Sequence, residues 1–314
     1  MNYVEHTITL KSTQHYGSRV PPDALGLILS WLPKAVALST RMAFVGRSTP
    51  RRHPSWLEAA SDIRFVKHSG EDETVLFFEA PSVGEAATEI YQQQELWPSR
   101  PAPEDTGLDL LGDVLMDISA GNRDSELFDT PLLKNIASVR RALDGKFQEI
   151  HLAGHRFTDQ KPAIVNQTVI QTAEQFSSIT PIPERTRIVG QLDMIRASTQ
   201  TFALKLSEGQ EVRGVLLDTD IGRLKHLFQR EVLVLGRAVF RPSGKLLRID
   251  AEDIRPAEEE SSLWSRVPKP RMVRLDVAGL RKSQGPRSGV ASIIGKWPGN
   301  ETDEEVQREL EALS

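Results

Sequence analysis

Apolar and polar residues alternate almost from the first position. In the stretch 3–12, Val4, His6, Ile8 and Leu10 share one face and Tyr3, Glu5, Thr7 and Thr9 the other, the period of a strand. Pro21-Pro22-Asp23 then offers a helix start ahead of the periodic Leu25, Ile28, Leu29 and Leu32. Apolar residues continue to Val45, but Pro33, Lys34 and Arg41 interrupt them. A bilayer span needs roughly 20 consecutive apolar residues, so the expectation is a buried helix pair broken at Pro33. Two alternating runs, 62–68 and 73–80, flank the polar turn Ser69-Gly70-Glu71-Asp72 and predict a hairpin. Helices follow over 106–119 and 129–142, each opened by a capping residue, Thr106 and Asp129. Residues 146–153 read as a strand, and 163–178 fit either a strand or a helix.

Beyond the stiff connector Thr180-Pro181-Ile182-Pro183 the period changes to that of strands for about seventy residues. The order strand–strand–strand–helix–strand–strand is that of an OB-type barrel. Gly190 and Gly236 sit mid-strand, where a barrel must bend without a side chain in the way. Ile188, Leu192, Phe202, Leu204, Val215, Val232, Val234 and Val239 are among the residues expected inside. The expected fold class is therefore α+β, in three parts: an N-terminal α+β domain over 1–180, a small OB-like β-barrel over 184–256, and an extended C-terminal tail over 257–314 ending in a short helix.

A chain of 314 residues fits two domains with an extension. Its net charge of −4 provides no global attraction to nucleic acid or to an anionic membrane, so any such binding must be local. Cysteine is absent, which removes disulfides, thiolate metal sites and a Cys nucleophile. With no apolar signal-peptide core in the first residues, a cytoplasmic location is expected.

The search for catalytic motifs finds no phosphate-binding Gly-rich loop, no dinucleotide fingerprint, no HExxH and no GxSxG. Of the seven histidines only His151 and His155 are close in sequence. A strand running into a turn at Gly154 need not bring their rings together. Asp109, Asp113 and Asp117 repeat at i, i+4, i+8, a pattern usual for the solvated side of an amphipathic helix. No enzyme, metal or cofactor is expected. For single-stranded nucleic acid, the barrel offers Arg187, Arg196, Lys205, Arg213, Arg237, Arg241, Lys245 and Arg248. Seven acids offset them, so a scaffold or protein-docking barrel is the competing reading.

After Ile254 the composition shifts. The stretch 264–287 is basic and rich in Pro and Gly, which favours an extended chain. Thr302 and Glu305 then form a capping box, and Val306, Leu310 and Leu313 a short apolar stripe too brief to be a stable helix alone. Such a stripe beside Trp297 is suited to docking on a partner or back on the barrel. The run Gly295-Lys296-Trp297-Pro298-Gly299-Asn300-Glu301-Thr302-Asp303-Glu304-Glu305 resembles the toxin-binding segment of Vap-type antitoxins, which neutralise PIN-domain ribonucleases. The chain as a whole is similar to a family of bacterial proteins sharing the barrel wording of 190–198 and 240–249, and that similarity carries no activity with it. The antitoxin resemblance implies a PIN-type nuclease as partner. It makes Arg281, Lys282, Arg287 and Lys296 candidates for entering a carboxylate-lined site, with Trp297, Pro298, Gly299 and Glu301 as the anchor. Val306 and Leu310 would be buried in a groove of the partner.

Overall fold

The computed structural model describes residues 3–49, 54–92, 101–217, 221–258 and 264–271, with Thr302 and Arg308. Apart from those two, the described residues belong to one compact unit, Met1–Arg274. Among the described residues no helix is long and apolar enough to cross a membrane.

The first half is a sheet with helices on one face. Strands β1 (Tyr3–Lys11), β2 (Arg64–Ser69), β3 (Thr74–Pro81), β4 (Glu149–Ala153) and β5 (Ala163–Asn166) pair in the order β2-β3-β1-β4-β5, antiparallel throughout. The alternation seen in sequence sets the two faces: His6, Ile8 and Leu10 are buried, whereas Thr7 and Thr9 are half-buried. β2 is an edge strand, exposed along its length, and its pairing with β3 slips between Phe65 and Lys67.

The helices are α1 (Pro22–Val45), α2 (Ser55–Ala60), α3 (Val83–Ala86), α4 (Thr88–Tyr91), α5 (Gly107–Ser119), α6 (Thr130–Ser138), α7 (Arg140–Leu143) and α8 (Gln167–Ile179). Residues of α1, α5, α6 and α8 form one apolar core with the sheet. α1 corrects the expected break: Pro33 lies inside one continuous helix. Proline costs a helix about 3 kcal/mol by removing one backbone bond and crowding the preceding turn. Here Pro33 and Lys34 are exposed, while Trp31, Leu32, Ala35 and Val36 around them are buried. The freed carbonyl side can reach water, and packing of the apolar face carries the helix through. The stretch 163–178 contains both candidate structures, β5 followed directly by α8, with Asn166 as N-cap.

The second half is a closed five-stranded barrel. Its strands are β6 (Glu184–Arg196), β7 (Thr201–Lys205), β8 (Glu211–Leu216), β9 (Glu231–Phe240) and β10 (Leu246–Pro256), with α9 (Ile221–Leu224) between β8 and β9. The order around the wall is β10-β8-β7-β6-β9, closed by the β9–β10 pair. Every pairing is antiparallel except β8 with β10. Ile188, Leu192, Phe202, Leu204, Val232 and Val234 fill the interior. Two expected interior residues do not. On β8 the interior position is Leu216, and Val215 faces the sheet half among Phe44, Trp56 and Leu57. On β9 Ala238 and Phe240 point inward, so Val239 is out of phase with them. Gly236 is needed where β9 meets β10, because a Cβ there would lie 2.3 Å from the Asp250 carbonyl oxygen.

Residues 264–271 lie back along the barrel. Val267 packs against its core, and the Arg271 N–H donates to Glu184 Oε1 at 3.0 Å.

Candidate functional site

Three groups of polar side chains are chemically conspicuous. The first surrounds the start of α5. Thr106 caps the helix, and Asp109 returns the bond: Asp109 N donates to Thr106 Oγ1 at 3.2 Å, and Thr106 N to Asp109 Oδ2 at 2.9 Å. Two distant segments close on this box. From β1, His6 Nε2 lies 3.0 Å from Thr106 Oγ1. From the turn after β4, the Arg156 N–H donates to Asp109 Oδ1 at 3.1 Å, and its guanidinium grips Asp113 through two bonds of 2.8 and 2.9 Å. Gly154 lets that turn approach, since a Cβ would sit 2.1 Å from His6 Nδ1.

Asp109 is therefore buried and Asp113 ion-paired, which corrects their reading as the solvated face of a helix. Burial holds the His6 imidazole below its ordinary value, opposed by the carboxylate of Asp109. Burial likewise raises Asp105, against the pull of Arg156. Asp105, Asp109 and His155 present ligand atoms within 4.8 Å of one another and are the residues of this cluster that could hold a metal ion. His151 is apart from them, bonded to Glu149 at 2.6 Å. Thr106 and His6 are inaccessible to a substrate, so the inner part of this network fastens β1, α5 and the 154–157 turn together. Sequence could not reveal it, because His6, Thr106 and Arg156 are each about fifty or more positions from the next.

The second group lies on the seam between sheet half and barrel. Arg248 Nε donates to Asp250 Oδ1 at 2.8 Å, its NH1 to the Gly46 carbonyl at 2.9 Å, and its NH2 lies 3.2 Å from Asp129 Oδ2. Asp129 also caps α6 and accepts from the Ser48 N–H at 3.2 Å. Nearby, Arg241 reaches the Asp124 carbonyl at 2.7 Å and Glu126 at 2.6 Å, Lys245 reaches Asp124 at 2.8 Å, and Arg213 lies 3.7 Å from Glu126. Three of the eight barrel cations expected to face nucleic acid, Arg241, Lys245 and Arg248, thus bond to the sheet half, whereas Arg213 bonds Glu211 of its own strand at 3.0 Å. Of the others, Arg237 pairs with Glu252 at 3.3 Å and Lys205 is exposed. Arg196 lines a cavity of about 680 Å³ along the same seam, between the end of α1 and the β6–β8 wall.

The third group is on another part of the barrel wall. There Arg187 stands over the ring of Trp264, 5.8 Å from its centroid, and Trp264 is 44% exposed. The other barrel aromatics are elsewhere: Phe202 and Phe240 are in the barrel core, and Phe228 is exposed beyond the short helix. Trp264 was legible only as one residue of a basic tail; nothing in its spacing shows that it returns to the wall.

Arg281, Lys282, Arg287, Lys296, Trp297, Pro298, Gly299, Glu301, Val306 and Leu310 lie outside the described residues. No protein-family model matches the chain, and no curated protein matches it in sequence.

Proposed function

We propose that this chain is an antitoxin-like regulator that binds and neutralises a PIN-domain ribonuclease through the residues following the barrel. It works by binding and not by catalysis, in the cytoplasm. The observation that carries the reading is the seam: Arg241 and Arg248, both largely buried, are bonded to Asp124, Glu126, Asp129 and Asp250, which takes these two barrel cations away from a nucleic-acid surface. A barrel fixed in this way is a platform. The strand order and the single parallel pair β8–β10 support an OB-type barrel as that platform.

The mechanism follows from the chemistry of such nucleases, which gather carboxylates around Mg²⁺ or Mn²⁺. A cation inserted from Arg281, Lys282, Arg287 or Lys296 competes with the metal and forms charge-assisted bonds to those carboxylates. Trp297 is the anchor, with Pro298, Gly299 and Glu301 shaping the turn, and Val306 and Leu310 fill a groove on the partner. The test is inhibition of a metal-dependent ribonuclease that co-purifies with the full chain. Trp297→Ala should weaken inhibition by about 30-fold or more, the loss of a buried tryptophan anchor. Equal inhibition by Trp297→Ala, or capture of no nuclease, overturns the proposal.

A further inference from the structure

A groove of about 610 Å³ runs along the barrel wall between the start of β6, the middle of β9 and the returning segment 264–271. Five cations line it, Arg185, Arg187, Arg266, Lys269 and Arg271, against two carboxylates, Glu184 and Glu252. Both acids are engaged already. Glu184 takes the Arg271 N–H at 3.0 Å, and Glu252 lies 3.3 Å from Arg237. Among the described residues no carboxylate pairs with Arg185, Arg266 or Lys269, and all three are exposed.

This departs from the rest of the molecule. The chain carries a net charge of −4, and the cations of the seam are matched by acids. Like charges collected in one concave place repel one another and raise the local concentration of anions. Between them stands Trp264, held from one side by Arg187 and open on the other. A row of cations beside an exposed indole matches a ligand that alternates phosphates with flat rings. A duplex satisfies only the first requirement, because its bases are stacked on each other.

We propose that this groove binds single-stranded nucleic acid, with phosphates along Arg185, Arg187, Arg266 and Lys269 and one base stacked on Trp264. The site uses none of the residues assigned to the nuclease, and it adjoins the seam of the barrel at Lys269, which also borders the groove of Arg213, Arg241 and Lys245. One side of it comes from 264–271, held by Val267 against the barrel core and stiffened by Pro268 and Pro270. Binding therefore meets a largely formed surface and loses little freedom in ordering it.

The test is fluorescence anisotropy of a labelled twelve-nucleotide thymidine strand titrated with the full chain at several salt concentrations. Three to four phosphate contacts at about 0.7 each give a log–log salt slope of about −2 to −3, or roughly 16- to 64-fold weaker binding from 50 to 200 mM NaCl. Trp264→Ala should weaken binding by about 5- to 100-fold, and Trp264→Tyr should restore most of it. Arg266→Ala with Lys269→Ala should lower the slope by about 1.4. Trp297→Ala should leave oligonucleotide binding unchanged, and Trp264→Ala should leave nuclease inhibition unchanged, so the two proposals fail separately. Several results overturn the nucleic-acid site: no binding at 50 mM NaCl, affinities of the Trp264 and Arg266/Lys269 variants equal to the parent, a duplex bound as tightly as the single strand, or displacement by polyglutamate as effective as by unlabelled strand. The last would mark an acidic protein partner instead.

Discussion

Replacing Arg248 by methionine tests whether the seam is a buried network or a set of surface contacts. The Arg248 and Asp129 side chains are 6% and 1% exposed, and Asp250 is 13% exposed. Methionine keeps much of the volume but removes the cation from Asp129, the nearer of two cations from Asp250, which keeps Arg47 at 3.6 Å, and the donor from the Gly46 carbonyl. Removing one partner of a buried pair costs about 3–5 kcal/mol, against about 0–1 for an exposed pair. At roughly 2–4 °C per kcal/mol for a unit of this size, melting should fall by about 6–20 °C. Thermal and urea denaturation, each followed by far-ultraviolet circular dichroism and tryptophan fluorescence, measure the shift in melting and the loss of free energy. Because Arg248 joins barrel to sheet half, the two signals should also separate into distinct transitions. Adding Asp129→Asn to Arg248→Met removes the orphaned charge while keeping a good helix cap, and should recover about 1–3 kcal/mol relative to additivity. A loss below about 1 kcal/mol in Arg248→Met with coincident transitions would refute the reasoning, since that is the behaviour of an exposed pair.

Other consequences are as direct. His6 is held below its ordinary 6.5, first by burial and further by His155, while Asp109 and the Ala153 backbone oppose the shift. The unfolded chain takes up that proton near 6.5 and the folded one does not, so stability is complete above 6.5 and falls as pH drops below it, by at most about 1.4 kcal/mol per pH unit. His6→Gln should flatten the dependence of the urea midpoint between pH 7 and 5.5, and an unchanged slope would place its source elsewhere. Gly154→Ala should destabilise by about 1–3 kcal/mol, because its Cβ meets the His6 ring; proteolysis within 154–162 should rise with it. Pro33→Ala should stabilise the protein by about 1–2 kcal/mol by restoring one backbone bond of α1. A lower melting temperature would show that the Pro33 ring has a packing role.

Much of the fold could be read from periodicity, because a half-buried strand or helix writes its buried face into the sequence at fixed spacing. β1, the β2–β3 hairpin, the capped α5 and α6 and the barrel strands are cases of this. The misreadings have physical causes. Pro33 signals a break, but its exposed position and the apolar surface around it outweigh one lost bond. Val215 is as apolar as its neighbours, and only the packing against Phe44, Trp56 and Leu57 decides which face of the wall it occupies. The charged residues were least legible. Nothing near Arg248 in sequence shows that Asp129 will meet it, and no local pattern distinguishes Arg241, bound to Glu126, from Arg185, which meets no acid among the described residues.

The slip between Phe65 and Lys67 in β2 bears on how copies of this protein behave at high concentration. The barrel closes on itself and β5 is only four residues long before α8 begins, so β2 is the longer exposed strand edge of the described unit. A flat, regular edge of six residues containing Phe65 and Val66 would invite another strand to add to it. The irregular register spoils the hydrogen-bond ladder such an addition needs, and Lys67 puts a charge where the incoming chain would lie. That one irregularity guards the sheet against growing from molecule to molecule.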